Sequence, residues 1–178
     1  MDGSFIVMDS PPEHEDNHAF IHVAILLEQY GLNVPHIYQQ DLQQGFLILS
    51  DLGKTPYLSQ LSIETADELY KKAIDSLITL QQIPCENQSL PQYESALLQR
   101  EMQLLDDWFL QRHLGLHPPE WLAATFEFLT QNALEQPQVI VHRDFHSRNL
   151  MYLQGQKPGI IDFQDAVIGA ISYDLVSL

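Results

Sequence analysis

The sequence has 178 residues, of which 45% are hydrophobic and 18% are charged, and its formal net charge is −16. This composition is typical of a globular protein rather than a disordered one, and no apolar run is long enough to cross a bilayer. So acidic a chain would repel nucleic acid and anionic lipid, so we expect neither nucleic acid nor a membrane as a partner.

The N-terminal region is predicted to form a strand followed by a helix. Residues 4–8 form a short apolar run that Pro11 and Pro12 interrupt. The helix has two possible starts, a capping box that begins at Ser10 or an N-cap at Asp16. Apolar residues then recur at helical spacing, and Gly31 is suited to the position just after the helix.

Two further strands are predicted at residues 34–40 and 45–50, and they form a hairpin. The second strand is continuously apolar, as expected of a central strand, and it runs into Ser50, Asp51 and Leu52.

Three helices are predicted in the middle of the chain, at about residues 62–83, 92–113 and 119–134. Each carries an apolar stripe at helical spacing, which is more typical of a core face than of a ligand site. The residues predicted to be buried include Ile74, Ile78, Leu105, Trp108, Phe109, Trp121 and Leu129.

The chemical signal is concentrated in residues 139–167, where short apolar runs alternate with polar loops. The first loop contains His142-Arg143-Asp144 and, five residues after the aspartate, Asn149; the last apolar run ends at Asp162-Phe163. Phosphoryl transfer needs a carboxylate that accepts a hydroxyl proton and oxygen ligands that hold magnesium on the phosphates. The pattern therefore predicts Asp144 as the catalytic base and Asn149 and Asp162 as the metal ligands. In the simpler alternative these side chains only stabilise their own turns.

Three of the eight basic residues, Arg143, Arg148 and Lys157, fall within this same segment. They either balance the charge of a bound nucleotide or neutralise the carboxylates beside them. His146, inside the loop, is a candidate contact for substrate or phosphate.

The stretches VHRDFHSRNLM and DFQDA resemble the aminoglycoside phosphotransferase and choline kinase family. Within it, SFIVMDSPPE, GLNVP, GFLILSDLG and PGIIDFQDAVIGAISYDLVSL look most like the bacterial cell-wall amino-sugar kinases. The resemblance implies an α+β, protein-kinase-like fold with a partial small β lobe and hinge at residues 1–53. A largely helical large lobe with the catalytic hairpin would occupy residues 54–178.

The resemblance also implies roles for individual residues. The backbone of Ser50, Asp51 and Leu52 would bind the adenine edge of ATP, and Asp174 would accept backbone N–H bonds from the catalytic loop. His142 would hold that loop by a hydrogen bond. Asp165 would either contact a water of the magnesium shell or cap the next turn.

The implied function is ATP- and Mg²⁺-dependent phosphorylation of a small-molecule hydroxyl, most closely the anomeric hydroxyl of N-acetylmuramate or N-acetylglucosamine. An aminoglycoside or a choline-like molecule is the alternative substrate. The strand at residues 4–8 corresponds to the third strand of a kinase small lobe, and the chain departs from most kinases because Met8 stands where that strand usually carries a lysine. This departure, and the apparent absence of flanking family segments, leaves open a truncated, non-catalytic nucleotide-binding or interaction remnant.

Cys85 is the only cysteine and the N-terminus lacks a basic, apolar leader, so we expect a cytoplasmic protein. The sequence predicts no oligomeric state.

Overall fold

The computed structural model describes residues 4–13, 16–86 and 88–178. It combines small antiparallel sheets with helices, which confirms the expected α+β class. No helix of this described part is both long and apolar enough to span a bilayer.

The first part of the chain forms a three-stranded antiparallel sheet with one helix. The elements are β1 (Phe5–Asp9), α1 (Asn17–Gln29), β2 (Ile37–Asp41) and β3 (Phe46–Ser50). The strand order is β1-β3-β2, so the apolar β3 is central as predicted. The side chain of Asp16 accepts hydrogen bonds from the amides of His18 and Ala19, so α1 begins at the second of the two predicted starts.

The middle of the chain is helical. It contains a 3₁₀ turn (Tyr57–Gln60), α2 (Ala66–Gln81), α3 (Ser95–Leu104), a π-helical stretch (Leu105–His113) and α4 (Leu122–Glu135). The predicted helix at residues 92–113 is therefore two helical segments with different hydrogen-bond patterns.

The C-terminal part forms two short ladders and a final turn of helix. Its elements are β4 (Gln138–Val141), β5 (Leu150–Met151), β6 (Gly159–Ile160), β7 (Val167–Ala170) and α5 (Tyr173–Ser177). β4 pairs with β7 and β5 pairs with β6, both antiparallel. The polar loops that follow β4 and β6 are thereby brought together.

One main core joins these parts. It includes Leu27 of α1, Leu47 of β3, Leu77 of α2, and Phe145 and Phe163 from the polar loops. The loops that carry the polar motif are therefore anchored by fully buried rings, although loops are usually surface features.

The prediction that every helical stripe is buried is wrong. Leu122 and Phe126 of α4 are buried, but several other predicted core residues are exposed: Ile74, Ile78, Leu105, Trp108, Phe109, Trp121 and Leu129. Periodicity identifies an apolar face, but the described residues place no element over these faces.

Candidate active site

Asp144, Asn149 and Asp162 come together as the sequence predicts. The side-chain amide of Asn149 donates to a carboxylate oxygen of Asp162 at 3.1 Å and to the backbone carbonyl of Asp144 at 3.1 Å. Asn149, directly before β5, thus links the loop that follows β4 to the loop that follows β6. The carboxylate of Asp144 stays exposed, as a group that meets substrate must be.

The conformation of Asp162 is unusual. Its φ is +66°, in the left-handed region that residues other than glycine rarely adopt. Its second carboxylate oxygen accepts a hydrogen bond from the side chain of Gln164 at 2.9 Å. Next to it, the buried ring of Phe163 stacks on Phe20 of α1, with centroids 5.1 Å apart. Packing and two amide donors therefore fix the position of this carboxylate.

Asp174 holds the backbone of the loop that contains Asp144. Its fully buried carboxylate accepts hydrogen bonds from the backbone amides of His142 at 2.7 Å and Arg143 at 3.0 Å. Burial raises the pKa of Asp174 to about 6, although the two amides act in the opposite direction. The hydrogen bonds are those that the family resemblance implies.

His142 is a buried, neutral loop support. One ring nitrogen lies 3.0 Å from the carbonyl of Ile161, and the other accepts from the amide of Asp144 at 3.3 Å. This pattern requires the tautomer with the proton on Nε2. Burial lowers the pKa of His142 to about 4. The ring links Ile161, which precedes Asp162, directly to the backbone of Asp144.

Arg143 also has a left-handed backbone, with φ +77°, and its side chain turns away from the cleft. A guanidinium nitrogen lies 2.5 Å from a carboxylate oxygen of Glu101, on α3. A second guanidinium nitrogen lies 4.0 Å from the carboxylate of Asp165. For Arg143 the structure therefore favours the neutralising role, and Asp165 lies beside that arginine.

The other predicted residues of the loop are less engaged. Arg148 is exposed, and the ammonium of Lys157 lies 3.4 Å from the hydroxyl of Thr79 on α2. An imidazole nitrogen of His146 lies 4.0 Å from a carboxylate oxygen of Asp144. His146 is thus the basic side chain placed beside the predicted catalytic carboxylate.

A cleft of about 260 Å³ lies between the sheet and the C-terminal ladders. Ser50, Asp51 and Leu52 form one wall, and Asp162 and Phe163 lie opposite. The rest of the lining is mostly apolar: Ile6, Phe20, Leu49, Met151 and Ile161. Apolar walls next to the end of a strand suit a flat heteroaromatic ring.

Asp51 closes the end of this wall. Its carboxylate accepts hydrogen bonds from the hydroxyl of Ser4 at 2.6 Å and the amide of Gly53 at 2.8 Å, and these bonds lower its pKa. Its side chain is therefore occupied in shaping the turn.

The cleft continues into a second space of about 440 Å³, and the two share Phe20, Ile161 and Asp162. Asn149 and Asp162 lie on one side of the second space, and Asp9, Asp16 and Asn17 lie on the other. Among the described residues, neither lining contains a lysine or an arginine.

The donor set suits magnesium. Asn149 and Asp162 supply hard oxygen atoms next to a space that is open enough for phosphate oxygens and water, which complete the shell around this ion. The described residues contain no group of three His, Cys, Asp or Glu side chains able to hold a metal. Magnesium bound here would therefore depend on ligands from the nucleotide.

The loop network includes residues that the sequence patterns did not indicate. The guanidinium of Arg143 pairs with Glu101 and lies near the ring of Tyr93, whose hydroxyl contacts that of Tyr173. Glu101 and Tyr93 lie far from Arg143 in sequence and belong to no local motif, whereas Tyr173 directly precedes Asp174. The signal available in the sequence was the glutamate itself, on a helix with few charges of its own.

Comparisons with known proteins agree with this geometry. The chain matches the phosphotransferase enzyme family over residues 1–178. It is 47% identical to an N-acetylmuramate/N-acetylglucosamine kinase of Pseudomonas aeruginosa and 42% identical to one of Pseudomonas putida. These matches cover 99% and 98% of the chain but 53% and 52% of the relatives, so the chain spans about half the length of these curated relatives.

Solved structures show the same fold at low identity. An aminoglycoside phosphotransferase of Streptomyces rimosus, solved with ADP and streptomycin, superposes with a TM-score of 0.71 at 18% identity, covering 99% of this chain and 71% of that one. A choline/ethanolamine kinase family protein of Mesorhizobium loti has a TM-score of 0.66 at 13% identity, with 100% and 58% covered. The expected kinase-like fold is therefore confirmed.

Proposed function

Because this chain belongs to the phosphotransferase enzyme family, we propose that it acts in the magnesium-dependent transfer of the γ-phosphoryl group of ATP to an amino sugar. The substrate class is N-acetylmuramate or N-acetylglucosamine, phosphorylated at the anomeric hydroxyl, in the cytoplasm. The observation that carries the proposal is the hydrogen-bonded cluster of Asp144, Asn149 and Asp162 at one end of an apolar cleft. The two similar Pseudomonas kinases support the choice of sugar.

The proposal divides the chain at the cleft. Residues 1–53 form the small lobe and its hinge, and residues 54–178 form the large lobe. The adenine ring lies between the apolar walls and bonds to the backbone of Ser50, Asp51 and Leu52. The phosphates extend toward Asn149 and Asp162.

Each site residue then has a defined task. Asp144 accepts the proton of the sugar hydroxyl as the oxygen bonds to the γ-phosphorus and the bond to the bridging β,γ-oxygen breaks, which releases ADP. Asn149 and Asp162 would hold magnesium, which would neutralise charge on the phosphates when bound. His142 and Asp174 keep the Asp144 backbone in place, which matters because misplacement of reacting groups costs orders of magnitude in rate.

The test is incubation of the chain with magnesium and ATP plus N-acetylmuramate, N-acetylglucosamine, choline or kanamycin. We expect turnover of an amino sugar and its loss in Asp144→Asn, with Asp75→Asn on the exposed side of α2 as the matched control. Turnover of choline or kanamycin alone would refute the sugar assignment, and unchanged turnover in D144N would refute the role of Asp144.

A second function is binding of a nucleotide without transfer. The observation that favours it is the absence of lysine and arginine among the described residues that line the phosphate side of the cleft. Thermal stabilisation by magnesium and ATP, without turnover of any of the four substrates, would select this function.

A further inference from the structure

Arg143, the residue before Asp144, is attached to the protein in two independent ways. Its backbone amide is held by Asp174, and its side chain is held by Glu101. A non-glycine residue with φ +77° stays in place only if its surroundings fix it. Whatever fixes Arg143 therefore also fixes the backbone of Asp144.

Glu101 holds Arg143 with both carboxylate oxygens in use. One oxygen pairs with the guanidinium, and the other accepts a hydrogen bond from the hydroxyl of Tyr93. The hydroxyl of Tyr173 lies 3.2 Å from that of Tyr93, and the guanidinium carbon lies 5.7 Å from the centroid of the Tyr93 ring. Tyr93 thus contacts both members of the pair and keeps them partly out of water.

The surroundings make this ion pair stronger than one on an open surface. The side chains of Arg143 and Glu101 are 24% and 28% exposed. Burial opposes the charge on Arg143, but Glu101, Tyr93 and Asp165 together outweigh it, and the net pKa of Arg143 is raised. Removing the charge of Glu101 would leave a partly buried guanidinium whose next carboxylate, that of Asp165, lies 4.0 Å away and is exposed.

α3 has few other attachments to this loop. It has no fully buried residue, and its Leu97 and Leu98 pack, partly buried, against the cluster of Tyr93, Val139, Val141 and Val167. Glu101 therefore supplies the polar contact that connects α3 to the segment that carries Asp144.

We propose that Glu101 is a positioning residue: through Arg143 it holds the left-handed turn that presents Asp144 to the substrate hydroxyl. The effect on catalysis rests on the proposed phosphotransferase function. The effect on the loop does not, so the two are measured separately.

The loop is tested by hydrogen exchange of backbone amides in Glu101→Gln, which keeps the shape and one acceptor but removes the charge. We expect exchange of residues 142–149 to be roughly tenfold faster, because a partly buried charged hydrogen bond is lost, and exchange elsewhere to be unchanged. The matched control is Glu135→Gln at the exposed C-terminal end of α4, which should leave the loop unchanged. Equal acceleration over the whole chain, or no acceleration in the loop, would overturn the proposal.

A double mutant shows whether Glu101 acts through Arg143. Arg143→Met should accelerate loop exchange as E101Q does, and E101Q/R143M should be no faster than either single variant. Additive effects of the two substitutions would show separate actions and would contradict the proposal.

The catalytic arm compares kcat and KM. In E101Q we expect kcat for the amino sugar to fall about tenfold with little change in the KM for ATP, and E101D to restore part of it. A raised KM with unchanged kcat would refute positioning. If the unaltered chain transfers no phosphate at all, the proposed function fails, and the exchange experiment still decides the coupling of Glu101 to the loop.

Discussion

Asp174 and His142 support the same loop but respond oppositely to pH. Both are buried, and burial raises the pKa of Asp174 to about 6 and lowers that of His142 to about 4. Between pH 4 and 6 the folded chain keeps a proton on Asp174 that the unfolded chain has lost, so this group lowers stability as pH rises. Between pH 4 and 6.5 the unfolded chain carries a proton on His142 that the folded chain lacks, so this group increases stability as pH rises.

The substitution Asp174→Asn separates the two effects. A shift of about two pKa units corresponds to about 3 kcal/mol. The free energy of unfolding of the unaltered chain, minus that of D174N, should therefore fall by about 3 kcal/mol between pH 4 and 6.5. D174N alone should show the full rise from His142, which is also about 3 kcal/mol. All other titrating groups are common to both proteins and cancel in the difference.

The assay is urea unfolding followed by far-ultraviolet circular dichroism of the helices, at half-unit steps from pH 4 to 7. Low protein concentration is needed because the isoelectric point is about 4.5. A difference between the two proteins that stays constant with pH would refute the raised pKa of Asp174. A difference that grows with pH would show that its amide bonds outweigh burial.

Three further predictions concern metal, core and turn. Asn149→Ala should weaken magnesium-dependent ATP binding at least tenfold in a calorimetric titration and leave adenosine binding unchanged; equal loss for both ligands would contradict a metal role. Phe163→Ala removes a fully buried ring stacked on Phe20 and should lower the free energy of unfolding by about 3–5 kcal/mol, a value that chemical denaturation would measure directly. Gly45→Ala places a Cβ 2.2 Å from the carbonyl oxygen of Ser10 at a residue with φ +78°, so this substitution should lower the melting temperature. A melting temperature within a degree of that of the unaltered chain would refute this geometry.

Local chemistry was predictable where a motif and its surroundings lie close in sequence. Asn149 and Asp162 flank the β5–β6 hairpin, and Asp144 lies in the loop directly before it, so the strand pattern indicated that these loops would meet. The helix end at Gly31 was predictable for the same reason, since its φ of +78° favours glycine. The start of α1 was ambiguous because Ser10 and Asp16 both carry capping side chains, and the choice depends on packing of the sheet.

Contacts between distant segments were not predictable. Glu101 and Arg143 are separated by 42 positions, and no periodicity relates them. The prediction that the apolar faces of α4 and of the π-helical stretch are buried was wrong for a related reason. Residue spacing shows that Trp108 and Trp121 lie on apolar faces, but it does not show which element, if any, covers each face.

Charge in the cleft is the point at which motif and structure differ most. The basic residues near the motif suggested a source of positive charge for a nucleotide, but Arg143 is paired with Glu101 and Lys157 lies beside Thr79. The space proposed for the phosphates is instead lined by Asp9, Asp16 and Asp162, whose negative charges would repel a triphosphate. Under the proposed function, magnesium at Asn149 and Asp162 would therefore supply a larger share of the attraction than in kinases whose corresponding strand carries a lysine, and we expect ATP without magnesium to bind little better than adenosine.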